Sequence, residues 1–106
     1  MYSQDPSRLA LETFRLSQSL CAQLVGARQN KLADRLRSAL LRIYLDVVGA
    51  VAPCSRADRF RRLASVGTAA ADAAIATEEA AALQLVTARD ADLLLAMLET
   101  LTLRAS

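Results

Sequence analysis

The chain has 106 residues, a net charge of +2, a mean hydropathy of +0.24, 54 % hydrophobic residues and no histidine. That is enough for one domain and one core, and three glycines, two prolines and 4 % aromatics exclude a sheet built on tight hairpins. The longest uncharged run, Leu16 to Ala27, is twelve residues and too short to cross a bilayer.

Four helices are predicted, over residues 6–25, 31–51, 56–85 and 88–104. The first opens with Asp5 as N-cap and Pro6 in the first turn. Its inward stripe is Leu9, Leu16, Leu20 and Leu24, flanked by Leu11, Phe14, Cys21 and Val25, and Gly26 is its expected stop.

Asn30 is the expected cap of the second helix, which ends before Pro53. This helix is apolar on most of its circumference. Leu32, Leu36, Leu40, Ile43, Val47 and Val51 form one seam, and Leu41, Tyr44, Leu45 and Val48 form a second beside it. Only Arg35, Ser38, Arg42, Asp46 and Gly49 are left for water. A helix of that kind must be covered on several sides, and a chain this short can barely do so alone. Self-association through Leu41, Tyr44, Leu45 and Val48 is therefore expected, with a homo-oligomer as the product.

Ser55 and Asp58 form a variant capping box at the start of the third helix. Phe60, Leu63, Val66, Ala70, Ala74 and Ile75 are its expected apolar side. Ala69 to Ala82 contains nine alanines in fourteen residues, which lets a neighbouring helix come close. Thr87 is the expected cap of the fourth helix, with Asp90 in its first turn and Leu94, Met97, Leu98 and Leu101 facing inward, Leu93 and Leu95 to either side. Connections of roughly two to five residues make sequential helices antiparallel neighbours. The expected fold is an all-α, up-down-up-down antiparallel four-helix bundle forming a single domain over 1–106.

Cys21 and Cys54 lack metal-ligand spacing and read as small buried or half-buried hydrophobes. Asp5, Pro6, Arg8 and Glu12 interrupt the N-terminus, which is unlike a signal peptide. A cytoplasmic protein without membrane association is expected.

Charge is distributed unevenly. Residues 1–62 carry +6 and residues 63–106 carry −4, and twelve of the thirteen cations are arginine. Arg28, Lys31, Arg35, Arg37 and Arg42 lie on or near the first half of the second helix. Arg56, Arg59, Arg61 and Arg62 cluster at the start of the third, so the two groups are expected at opposite ends of one protomer. Two readings stay open. One is a solvated face with ion pairs such as Arg42 to Asp46 at four-residue spacing. The other is phosphate recognition by guanidinium forks, with Arg35, Arg37 and Arg42 ahead of Arg56, Arg59, Arg61 and Arg62 as contacts.

Catalytic chemistry is missing from the pattern. With no histidine, the ordinary neutral-pH base and the imidazole metal ligand are gone. No phosphate loop or nucleophile elbow occurs. Glu78 and Glu79 are adjacent and point about 100° apart on a helix, and Asp90 and Asp92 also diverge. No catalytic residue, metal or cofactor is expected. An enzyme would need Asp72 or Glu78 on an inner face.

The order of features resembles a small four-helix-bundle family. It includes the protein encoded by bacterial ribosomal-RNA intervening sequences and the accessory variability determinant of diversity-generating retroelements. Leu36-Arg37-Ser38-Ala39-Leu40-Leu41-Arg42-Ile43 is similar to the family's second helix. Phe60-Arg61-Arg62-Leu63-Ala64-Ser65-Val66-Gly67-Thr68 is similar to its phenylalanine-led segment ending in Gly-Ser. A leucine-rich last helix follows a short break. Where the family carries Asn-Ile-Ala-Glu-Gly, this chain has Asp46-Val47-Val48-Gly49-Ala50. The resemblance implies rings, commonly pentamers, whose basic surface engages RNA or DNA. It also implies a partner enzyme, in the retroelement case a reverse transcriptase. The leading expectation is thus a non-catalytic, oligomeric accessory protein that binds nucleic acid through its arginines. The alternative is an interaction scaffold whose Arg-rich half pairs with acidic surfaces and binds no nucleic acid.

Overall fold

A computed structural model describes residues 5–105. Four α-helices follow one another: α1 (Pro6–Gly26), α2 (Asn30–Val51), α3 (Arg56–Ala82) and α4 (Ala88–Ala105). No strand occurs among the described residues, and no helix is long and apolar enough to cross a membrane. Each helix packs on its neighbours in sequence, and α1 meets α4 to close the ring. The start of α1, the end of α2, the start of α3 and the end of α4 surround one cavity. The helices therefore alternate in direction, as in an up-down-up-down bundle.

The core is leucine from three helices against alanine from the fourth. Leu20, Leu24, Leu36, Leu40, Ile43, Leu94 and Leu98 are fully buried, each worth about 2 kcal/mol of apolar transfer. From α3 come Val66, Ala69, Ala70, Ala73, Ala76 and Ala80. Among the described residues Thr13, Ser17 and Thr77 are the buried polar ones, and each hydroxyl donates to a carbonyl of its own helix, Leu9, Phe14 and Ala73 respectively. Burial therefore leaves no hydroxyl unpaired.

Helix starts follow local chemistry. The Asp5 carboxylate accepts from the Ser7 amide at 3.2 Å, with Pro6 at the first helical position. Ser55 Oγ accepts from the Asp58 amide at 3.0 Å, and Thr87 Oγ1 from the Asp90 amide at 3.3 Å. The expected cap at Asn30 is corrected. Asn30 is already helical, and Gln29 stands at the cap without a side-chain bond.

Helix ends differ from expectation. Gly26 closes α1 but has no positive φ; the left-handed residue is Arg28, at φ 63. The Gln29 amide donates to Leu24 O at 2.8 Å and the Arg28 amide to Val25 O at 2.9 Å, which is a Schellman closure. α3 stops at Ala82 rather than residue 85 by the same device, with Gln84 at φ 57 and the Leu85 amide on Ala80 O. Neither end is marked by a left-handed glycine.

The apolar side expected for α3 is also corrected. Val66 and Ala70 are buried, but Phe60 is 76 % exposed and Ile75 also faces out. The alanine rows decide the helix's rotation, because small side chains let α3 settle closely on its neighbours. Phe60 and Ile75 then lie well off that line. On α2 the seam Leu32, Leu36, Leu40, Ile43 and Val47 is buried, whereas Val51 is exposed at the helix end.

Candidate interaction surfaces

The outer side of α2 is only partly covered. Leu41 is 45 % exposed, Leu45 56 % and Val48 38 %. Tyr44 is half-buried, its ring 6.4 Å from that of Phe14 on α1. The four residues expected at an interface thus share one side of α2, with Tyr44 leaning towards α1. Burial of α2 on several sides is not completed within one chain.

Arg35 and Arg62 lie towards opposite ends of the bundle, with Arg42 near the middle of α2 between them. Arg35, near the start of α2, faces Glu79, near the end of α3, at 3.9 Å. Arg62, near the start of α3, faces Asp46, near the end of α2, at 3.6 Å. This corrects the expected Arg42 to Asp46 pair. The carboxylate of Asp46 turns towards α3, where Arg62 reaches it across the helix joint. A side-chain methyl at position 49 would fall on that guanidinium, so Gly49 makes room for it.

Most of the seven candidate arginines are engaged inside the chain. Arg37 pairs with Asp34 at 3.0 Å, and Arg61 pairs with Asp58. The Arg59 Nε donates to the Ala50 carbonyl at 3.1 Å and so closes the last turn of α2. Arg42 and Arg56 are exposed and have no hydrogen bond or ion pair among the described residues. Arg42 borders two shallow grooves between α2 and α3, one shared with Leu41, Leu45 and Ser65, the other with Arg35 and Asp72. The α2–α3 side therefore alternates in sign rather than forming an unbroken basic stripe. Of the ion pairs along it, Arg35 with Glu79 is exposed and contributes under about 1 kcal/mol, whereas Arg62 meets a half-buried Asp46.

Among the described residues, two groups have displaced acidities. Asp58 is held below the usual carboxylate range, chiefly by its hydrogen bond from Arg61 and then by that with Ser55. Burial pushes the Cys21 thiol up, and its Sγ lies 3.6 Å from the Ala33 carbonyl on α2. Cys21 is buried and Cys54 half-buried, both as free thiols. Asp72 and Glu78 are exposed rather than turned inward. Among the described residues no three His, Cys, Asp or Glu side chains come together to hold a metal.

Gln23 was not singled out by sequence. It lies near the end of α1, where its Nε2 donates to Asp90 Oδ2 at 2.9 Å and its Oε1 accepts from the Thr87 amide at 2.8 Å. It ties α1 to the first turn of α4. No local pattern signals such a bridge across 64 residues. The cavity at the far end of the bundle was equally hidden, because its walls come from all four helices.

No family model, curated protein or solved structure matches the chain.

Proposed function

We propose that this chain is a non-catalytic assembly module whose copies join through the outer side of α2. The observation that carries this reading is the run of Leu41, Leu45 and Val48, each more than a third exposed, beside half-buried Tyr44. Covering a half-exposed leucine contributes about 1 kcal/mol, and self-pairing of one patch multiplies that gain by symmetry. Exposed carboxylates and the lack of histidine support a binding role over a catalytic one. The test is substitution of Leu45 by Glu. It should dissociate the assembly and leave the helix content of the protomer unchanged; an unaltered assembly would refute this face as the joint.

A second reading is favoured by Arg42 and Arg56, which carry unpaired guanidinium groups on the exposed surface. In it the assembly grips an RNA or DNA backbone. Arg35, Arg37 and Arg61 exchange their exposed carboxylate partners for phosphate, while Arg59 and Arg62 hold α2 to α3. The partner enzyme to which the family resemblance points is a reverse transcriptase. Fluorescence polarisation with a labelled single-stranded RNA at two salt concentrations tests it. Phosphate clamping predicts affinity that falls steeply with salt and shows little sequence preference. No binding at low salt would leave the scaffold reading alone, with the arginines meeting acidic protein surfaces.

A further inference from the structure

One end of the bundle holds a half-open cavity of about 300 Å³. Its floor is core: Val47, Ala50, Val66 and Leu101 are all buried. Its rim carries two cations, Arg59 from α3 and Arg104 from α4, and among the described residues no aspartate or glutamate lines it. Apolar walls with few polar groups at one edge are the usual make-up of a small-molecule pocket.

The setting of Arg59 is the second observation. Its Nε is fixed to the Ala50 carbonyl at 3.1 Å. Arginine has five donors in a planar fork, and Arg59 makes no other hydrogen bond or ion pair among the described residues. The plane of the guanidinium is thus anchored on the cavity wall with its terminal amino groups unspent. A carboxylate is the anion that such a fork receives with paired hydrogen bonds.

The geometry points to a binding site for a medium-chain carboxylate amphiphile. The acyl chain occupies the cavity between the ends of the four helices, and the carboxylate meets the terminal nitrogens of Arg59. At about 30 Å³ per water-sized group, the volume takes on the order of ten heavy atoms, the size of octanoate. The rest of a longer acyl chain would project from the open mouth. A cation of equal chain length meets the Arg59 guanidinium and is repelled. This site lies at the end of the bundle, and of the α2 residues that line it only Val51, one turn beyond Val48, is exposed.

Titration calorimetry of the full chain with sodium octanoate, below its micelle concentration, tests the site, with octylammonium and octanol as chain-matched controls. Octanoate is expected to bind about tenfold more tightly than octanol, the gain of one charge-assisted contact, and octylammonium more weakly than either. Arg59→Gln should bring octanoate down to the level of octanol. Ala105→Phe, which adds bulk at the cavity edge and leaves the Arg59 side chain unaltered, should weaken octanoate and octanol alike, with helicity checked by circular dichroism. Equal binding of all three probes, octanoate affinity unchanged in both variants, or no octanoate binding at all would each overturn the assignment.

Discussion

The Arg62 guanidinium of α3 stands 3.6 Å from the Asp46 carboxylate of α2, in the space that a side chain at Gly49 would claim. One glycine, one turn beyond Asp46, thus leaves the room in which Arg62 reaches that carboxylate.

Gly49→Ala sets helix propensity against that bridge. Alanine gains about 1 kcal/mol over glycine in a helix, and a partly exposed ion pair is worth about 0.5 kcal/mol. The expected outcome is a small net stabilisation, because the far end of the Arg62 side chain can swing away. In an Arg62→Ala background the same substitution should gain the full amount. Urea denaturation of the four members of the cycle measures the difference. Equal gains in both backgrounds would show that Arg62 does not sit over Gly49.

The two left-handed residues, Arg28 and Gln84, carry a penalty of about 1 kcal/mol each that glycine avoids. Arg28→Gly and Gln84→Gly should each raise the urea midpoint. Gly26→Ala should also raise it, since Gly26 is helical and has open space where a methyl would go. A loss of stability in Gly26→Ala would put the left-handed turn at the glycine instead.

Gln23→Glu should destabilise the protein by about 2 kcal/mol. The carboxylate keeps an acceptor for the Thr87 amide, loses the donor to Asp90 and adds repulsion with it. Most of the cost should disappear on adding Asp90→Asn, whose amide can donate. Thermal melts of the single and double variants check this.

Asp58 has a folded acidity below its ordinary value. Such a group contributes stability above its unfolded pKa and loses that contribution as pH falls through the folded one. Asp58→Asn should therefore be slightly less stable than the parent near neutrality. The two should converge in acid, below the usual carboxylate range. Melts across a pH series give the gap, and a gap that widened in acid would contradict the Arg61 and Ser55 contacts.

Much of the fold was legible because local signals agreed. Asp5, Ser55 and Thr87 cap as their spacing suggests, and the leucine seams of α1, α2 and α4 mark their buried sides. The rotation of α3 was not legible. Its apolar residues are nearly continuous, so periodicity gives no single face, and close packing chose the alanines over Phe60 and Ile75. The helix ends escaped because glycine is the usual sign of a left-handed cap, and here Arg28 and Gln84 take that place. Arg62 with Asp46 and Gln23 with Thr87 depend on the register between helices, which only the packed bundle fixes.

Sedimentation equilibrium of the purified chain over a wide concentration range tests the outer side of α2 as a joint between copies most directly. The expected result is a mass that is a multiple of 11.4 kDa and that drops to the single-chain value in Leu45→Glu. A fully helical 11.4 kDa monomer at the highest concentration would contradict it.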